Sequence, residues 1–232
     1  MSHIECHIEK NIAILELNRP TKANSYTPSM LKDMDDCWNR IEKQARIVII
    51  QSTGDGAFCG GADLFEMNGV RAEDALDLFS QRLFNRIATS KVISIAAIHG
   101  AAIAGGFELT LACDLRVASR NAWFALPEVA KGLIPAAGGC TRLTTLMGPS
   151  ISKGVILGSG KIIAPQALQW GLVHRIDTNP QDNAFIWAQD LITRDPLALR
   201  LAKQVLQEPS LEKERLAEAL LYEQKAHRKN HI

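Results

Sequence analysis

Net charge is nearly absent from this chain. Lys and Arg number 26, Asp and Glu 25, leaving +1. No global field therefore draws it to nucleic acid or to an acidic membrane. Long apolar runs are missing too. The longest, Val92 to Ala104, is interrupted by Ser94, His99 and Gly100, and is too short and too polar to span a bilayer. Cysteines are few and odd in number: Cys6, Cys37, Cys59, Cys113 and Cys140, with no CxxC pair. That argues against a secreted disulfide framework and for a reducing cytoplasm. The first seven residues lack a basic stretch followed by an apolar one, so no secretory leader is expected. His3, Cys6 and His7 have no further ligands at metal spacing and read as an alternating first strand. No linker, low-complexity segment or visible repeat divides the 232 residues.

What remains is a soluble, core-rich pattern. Hydrophobic residues make up 47% of the chain, enough for a sizeable buried core. Ile12 to Leu17 reads as a strand. Pro28 fits the first turn of a helix running to about Ala45. Ile47 to Gln51 is a short, continuous apolar strand of the kind buried on both faces. Ser52 to Ala62 is rich in turns. A helix is expected over Glu73 to Ala88, and strands over Val92 to Ile98 and Leu115 to Ala118. From Gly138 onward the pattern is mostly helical, with one strand at Leu172 to Ile176. Strands alternating with helices early and helices late predict an α/β layered core with a helical C-terminal third.

Three segments carry chemistry. Gly105, Gly106, Phe107 and Glu108 follow the Val92–Ile98 strand and open a helix. The first turn of a helix leaves N–H groups unpaired, and glycine lets a substrate oxygen approach them. Glu108 would lie near the same opening. The turn Phe58, Cys59, Gly60, Gly61, Ala62, Asp63 leaves a strand in the same way, so Gly60 would present a second N–H. Two N–H donors aimed at one oxygen make an oxyanion hole. Glu128 follows Pro127 and the apolar run Trp123 to Leu126. A carboxyl beside apolar walls has a raised pKa, which suits proton transfer near neutral pH. Read singly, these are a close-packed helix start, a glycine turn and a carboxylate answering a helix dipole. Cys59 adjoins the turn without a partner histidine and is not read as a nucleophile. Asp114 reads as a cap of the local helix–strand joint.

Taken in order along the chain, the segments resemble the enoyl-CoA hydratase/isomerase family, or crotonase superfamily. The likeness runs from Ile12 to about Tyr222. It is carried by Leu17 to Pro20 with Asn24, Ala57 to Leu64, Gly100 to Asp114, Phe124 to Glu128, Gly132 to Leu143 and Ala164 to Val173. The resemblance implies a crotonase-like spiral of ββα units over residues 1–180, holding the CoA thioester site. A helical region over 181–232 would follow, shortened by the family's usual final helix. It implies that the backbone of Gly60 and Gly105 holds the thioester oxygen. Gly60, Gly61, Ala62, Asp63 and Gly105 would contact substrate. Glu128 would exchange the proton at Cα, while Glu108 would activate the water added at Cβ. No metal or separate cofactor is implied, coenzyme A being part of the acyl-CoA substrate. A homotrimer or hexamer is the implied assembly.

The sequence departs from the family at Ala136, commonly glycine beside the catalytic water, and at Phe107, commonly a smaller residue. Phe65, Met67 and Leu78 are candidates for an acyl pocket and equally for core. Other crotonase-type lyases or isomerases on an acyl-CoA are the alternative activities. A non-catalytic CoA- or RNA-binding relative is a further one. Against RNA, the Pro28–Ala45 helix mixes Lys32, Arg40 and Lys43 with Asp33, Asp35 and Asp36. Lys225, His227, Arg228, Lys229 and His231 form a basic tail, read as cations near a helix C-terminus.

Overall fold

The computed structural model describes residues 3–65, 73 and 76–229. Its main sheet is assembled from the β-branched runs. Strands β2 (Ile12–Leu17), β3 (Ile47–Ser52), β5 (Ile93–Ile98) and β7 (Leu115–Ala118) lie parallel and adjacent. β1 (Ile4–Glu9) closes one edge antiparallel to β2, and β10 (Arg175–Ile176) closes the other parallel to β7.

Alternation along these strands divides the apolar residues between two faces. Ile47, Ile49, Ile95 and Val117 face Ala184 and Ala188 of helix α6 (Pro180–Ile192). Val48, Ile50, Ala96 and Ile98 face the larger core. There α1 (Pro28–Gln44) contributes Met30, Met34, Trp38 and Ile41, and α2 (Phe79–Thr89) contributes Leu83, Phe84 and Ile87. Covering both faces is what lets strands of nearly continuous Ile, Val and Ala persist. The Thr27 hydroxyl accepts the Met30 N–H at 3.1 Å and caps α1, with Pro28 at its first position. Helix α6 falls within the segment read as the C-terminal helical region, yet it packs on the sheet.

A second sheet was not legible in the sequence. Strands β4 (Ala57–Cys59), β6 (Ala101–Ile103) and β8 (Trp123–Ala125) lie parallel, with β9 (Lys161–Ile163) antiparallel at the edge. Each of the three parallel members follows a strand of the main sheet: β3 then β4, β5 then β6, β7 then β8. Three residues are too few to display a period of two.

The remaining helices are α3 (Gly105–Ala112), α4 (Gly139–Ile156), α5 (Ala164–Gln169), α7 (Pro196–Gln207) and α8 (Leu211–Lys229). Every residue of α3 is buried. The strand expected at Leu172 to Ile176 shortens to β10. Leu172 and Val173 instead leave the Gly171 turn, with the Val173 N–H bonded back to the Ala167 carbonyl. The helix expected from Glu73 is described from Phe79, and Met67 lies outside the described residues. Phe65 is 89% exposed and so is not core. The Asp114 carboxylate accepts from Ser94 N–H, Ser94 hydroxyl and the buried Lys203 ammonium. It thus ties α7 to the start of β5 rather than capping a local joint. The basic-tail side chains beyond Ala226 lie outside the described residues.

Candidate active site

Both glutamates and both backbone turns come from the carboxyl ends of the second sheet. After β4 the chain makes the turn Gly60 to Asp63. After β6 it enters α3, bearing Glu108. After β8 it enters a 3-10 helix, Glu128–Lys131.

The β4 turn is braced from the loop before α1. Asn24 donates to the carbonyls of Thr53 and Ala57, both at 2.9 Å. Asp63 pairs with Arg19 at 2.7 Å in a largely buried contact. Its carboxylate is therefore spent on holding the turn and not on substrate. The N–H groups of the turn are also largely spent. Gly60 donates to the Ala23 carbonyl at 2.9 Å, and Asp63 to the Tyr26 carbonyl at 2.9 Å. The Gly61 N–H bonds the Cys59 sulfur. Gly60 is thus corrected as an oxyanion donor: its N–H already has an acceptor. Within this turn, Ala62 carries the N–H for which the described residues offer no acceptor. Cys59 is buried, and burial pushes its thiol up to about 12, which removes it as a nucleophile.

The opposing donor is at the start of α3. Gly105 is the first residue of that helix, where N–H groups have no intrahelical partner. Ala104, just before it, holds a left-handed φ of 52°, a conformation that costs a non-glycine residue free energy and clusters at functional sites. The turns abut: a methyl added to Gly61 would stand 3.0 Å from the Gly105 nitrogen. A methyl added to Gly105 would overlap the Tyr26 hydroxyl. Close approach, then, is what requires glycine at both positions. Phe107 is fully buried and packs on Phe124 with ring centroids 5.1 Å apart.

Glu108 is 3% exposed. Its Oε1 accepts the Gly139 N–H at 2.8 Å, and the Ala137 N–H also reaches the carboxylate. Burial raises its pKa to about 7, against those two hydrogen bonds, with the Glu128 charge adding to the rise and Arg142 opposing it. Glu128 is likewise raised by burial, opposed by its own backbone N–H and by Lys131. Its Oε2 is buried without a hydrogen-bond partner among the described residues. Two residues passed over in the sequence also face this space. The Tyr26 phenol and the Cys140 thiol both sense Glu108 and Glu128, and both are raised first of all by burial. Tyr26 lies two positions after Asn24, and Cys140 directly after Gly139; neither position advertises chemistry on its own.

A cavity of about 730 Å³ lies elsewhere, against α7, and neither glutamate lines it. Its polar wall is occupied by structural bonds. Lys203 holds Asp114 and the Val92 carbonyl, both at 2.8 Å. Arg116 donates to the carbonyls of Leu172, Thr110 and Cys113. Raised carboxyls and backbone N–H groups without an acceptor among the described residues occur instead around the glutamates.

Residues 7–231 match the family enoyl-CoA hydratase/isomerase. The chain is 32% identical over 204 residues to the short-chain-enoyl-CoA hydratase of Clostridium acetobutylicum, covering 85% of this chain and 78% of that protein. It is 34% identical over 213 residues to the 2,3-dehydroadipyl-CoA hydratase of Escherichia coli, covering 90% and 83%. The crystal structure of enoyl-CoA hydratase from Bacillus anthracis superposes with a TM-score of 0.89 at 31% identity, over 97% of this chain and 91% of that one. With sequence and backbone both matched nearly end to end, the chain belongs to the enoyl-CoA hydratase/isomerase family, the crotonase superfamily.

Proposed function

We propose that the protein reversibly adds water across the double bond of a 2-enoyl-CoA, giving a 3-hydroxyacyl-CoA. The observation that carries this reading is the proximity of two raised carboxyls, Glu108 and Glu128, to each other and to two N–H donors without an acceptor among the described residues. The Ala62 and Gly105 N–H groups would hold the thioester oxygen and stabilise the enolate charge that develops there. Ionised Glu108 takes a proton from water as the oxygen attacks Cβ. Protonated Glu128 delivers a proton to Cα, and the roles reverse in dehydration. The two tasks need opposite protonation states: the Gly139 N–H favours the charge of Glu108 against its burial, while Oε2 of Glu128 is buried without a hydrogen-bond partner among the described residues.

Val129, Leu133 and Ile134 stand exposed beside Glu128 and offer an apolar rim to an acyl chain. The proposed chemistry calls on carboxyls and peptide N–H groups alone, with no metal or redox cofactor. A panel of trans-2-enoyl-CoA thioesters of increasing chain length, followed by loss of conjugated-thioester absorbance, tests the reading. Turnover of at least one short or medium member is expected. Binding without turnover in either direction would sink the hydratase assignment.

We further propose a homotrimeric assembly. Leu216 and Leu220 of α8, one turn apart on the same face, are 59% and 47% exposed, an arrangement that favours contact with another copy. The free thiols and balanced charge fit a reducing, cytoplasmic setting without nucleic-acid or membrane partners.

A further inference from the structure

We infer that Gln81, outside the groups that reach substrate, is a positioning residue for Glu108, acting through the one peptide unit that joins Ala136 to Ala137. Its catalytic consequence rests on the hydration reading; its geometry does not.

Gln81 lies in the first turn of α2 and is exposed. Its Nε2 donates to the Ala136 carbonyl at 2.6 Å. A trans peptide holds its C=O and N–H on opposite sides of one rigid plane. The N–H of this plane belongs to Ala137, which favours the charged Glu108 carboxylate, and two residues on in the same loop the Gly139 N–H holds Oε1 at 2.8 Å. Fixing the oxygen on one side therefore aims the hydrogen on the other. Ala136 and Ala137 precede α4, so no helical bond holds this plane; Gln81 supplies the restraint.

The next carbonyl is held in the same manner. Arg142 Nη1 donates to the Ala137 oxygen at 2.9 Å, one step before the Gly139 N–H that reaches Glu108 Oε1 at 2.8 Å. Ser80, beside Gln81, hydrogen-bonds the Tyr26 phenol, which lies against Gly105. The first turn of α2 thus touches the framework of both the oxyanion turn and the carboxylate loop. The charged or titratable groups facing Glu108 are Glu128 from the 3-10 helix, Arg142 and Cys140 from α4, and Tyr26 from the loop before α1. Gln81 is uncharged, so replacing it leaves each of these in place.

The test compares wild type, Gln81→Met and Gln81→Lys; the lysine keeps a donor at similar reach. Ionisation of Glu108 is read without substrate, by infrared titration of ¹³C-labelled glutamate carboxyls against a Glu108→Gln control. A lost N–H bond disfavours the carboxylate, so Gln81→Met is expected to ionise about one pH unit higher. The acidic limb of kcat moves with it, lowering turnover at pH 7 about fivefold, with KM unchanged. Gln81→Lys returns the titration toward wild type. An unshifted Glu108 in Gln81→Met overturns the inference, as does an effect confined to KM. A wild-type enzyme with no turnover on any enoyl-CoA would overturn the hydration reading, while the infrared titration would still decide the role of Gln81.

Discussion

Glu108 lies within electrostatic reach of Glu128, but the two are held differently: Oε1 of Glu108 accepts the Gly139 N–H at 2.8 Å, whereas Oε2 of Glu128 is buried with no partner among the described residues. Glu108 is thereby fixed in one orientation at the N-terminus of α4. Glu128 keeps an oxygen uncommitted for a proton in transit. Hydrogen bonds to the charged form favour ionisation, and their lack favours the acid. This asymmetry is the ground for the proposed division into base and acid.

Replacing either carboxyl by an amide is expected to spare binding and remove chemistry. Glu108→Gln and Glu128→Gln should each lower kcat by about a hundred- to ten-thousand-fold. Calorimetric affinity for a saturated acyl-CoA should stay within a few-fold of wild type. Wild-type turnover in Glu108→Gln would point to one-glutamate chemistry.

The raised pKa of Glu108 has a readable sign. Its folded value of about 7 lies above the ordinary 4.5. Below pH 4.5 the acid is protonated in both states, and its stabilising effect is complete. As pH rises through 7 the unfolded chain has already released the proton, and that stability is lost, by roughly 3 kcal/mol. Urea unfolding should show Glu108→Gln gaining on wild type between pH 5 and pH 8. Hydration kcat should rise across the same range, since the base must be ionised. A pH-independent stability difference would contradict the burial argument.

The oxyanion donors can be separated from their brace. Ala62→Pro deletes an unspent N–H and is expected to lower kcat about a hundred- to a thousand-fold, with Tm nearly kept. Gly60→Pro deletes an N–H already given to Ala23, so it should lower Tm first. Thermal denaturation beside steady-state kinetics distinguishes them; the reverse pattern would restore Gly60 as the donor.

Lys203→Met is expected to destabilise the fold by about 3 kcal/mol. It leaves Asp114 without the cation that joins α7 to β5, and strips the Val92 carbonyl of its donor. Chemical denaturation measures it. Since neither group reaches the cleft, kcat of the folded fraction should not change; a fall in kcat at full folding would show coupling that this contact does not explain.

The α8 face gives a test of assembly. Leu216→Asp with Leu220→Asp should convert a trimer into monomers under light scattering at micromolar concentration. An unchanged mass, or a wild-type monomer, would refute the proposed contact.

Much of this architecture was legible because burial leaves long traces. Ile12–Leu17, Ile47–Ser52 and Ile93–Ile98 are strands of six residues, mostly or wholly buried, long enough to display their character. The strands of the second sheet have three residues each and show none. The two glutamates stood out by chemistry and spacing, but the choice between Gly60 and Ala62 did not. Glycine signals where the backbone is free to turn, not which N–H remains unspent. That depends on the Ala23 carbonyl, which only the fold brings near Gly60. Tyr26 and Gln81 were hidden for the same reason, since their partners Ser80 and Ala136 lie far away in sequence.

The stepwise order of β3 then β4, β5 then β6, and β7 then β8 has a consequence for how such a molecule changes over generations. Each step ends in a separate portion of the proposed site: Ala62 after β4, Gly105 and Glu108 after β6, and Glu128 after β8. Because separate steps deliver separate parts, a substitution after β8 can abolish or replace one acid while the thioester cradle after β4 and β6 stays intact. A lineage can therefore try new reactions on an already captured acyl-CoA one residue at a time, without first losing its grip on the substrate.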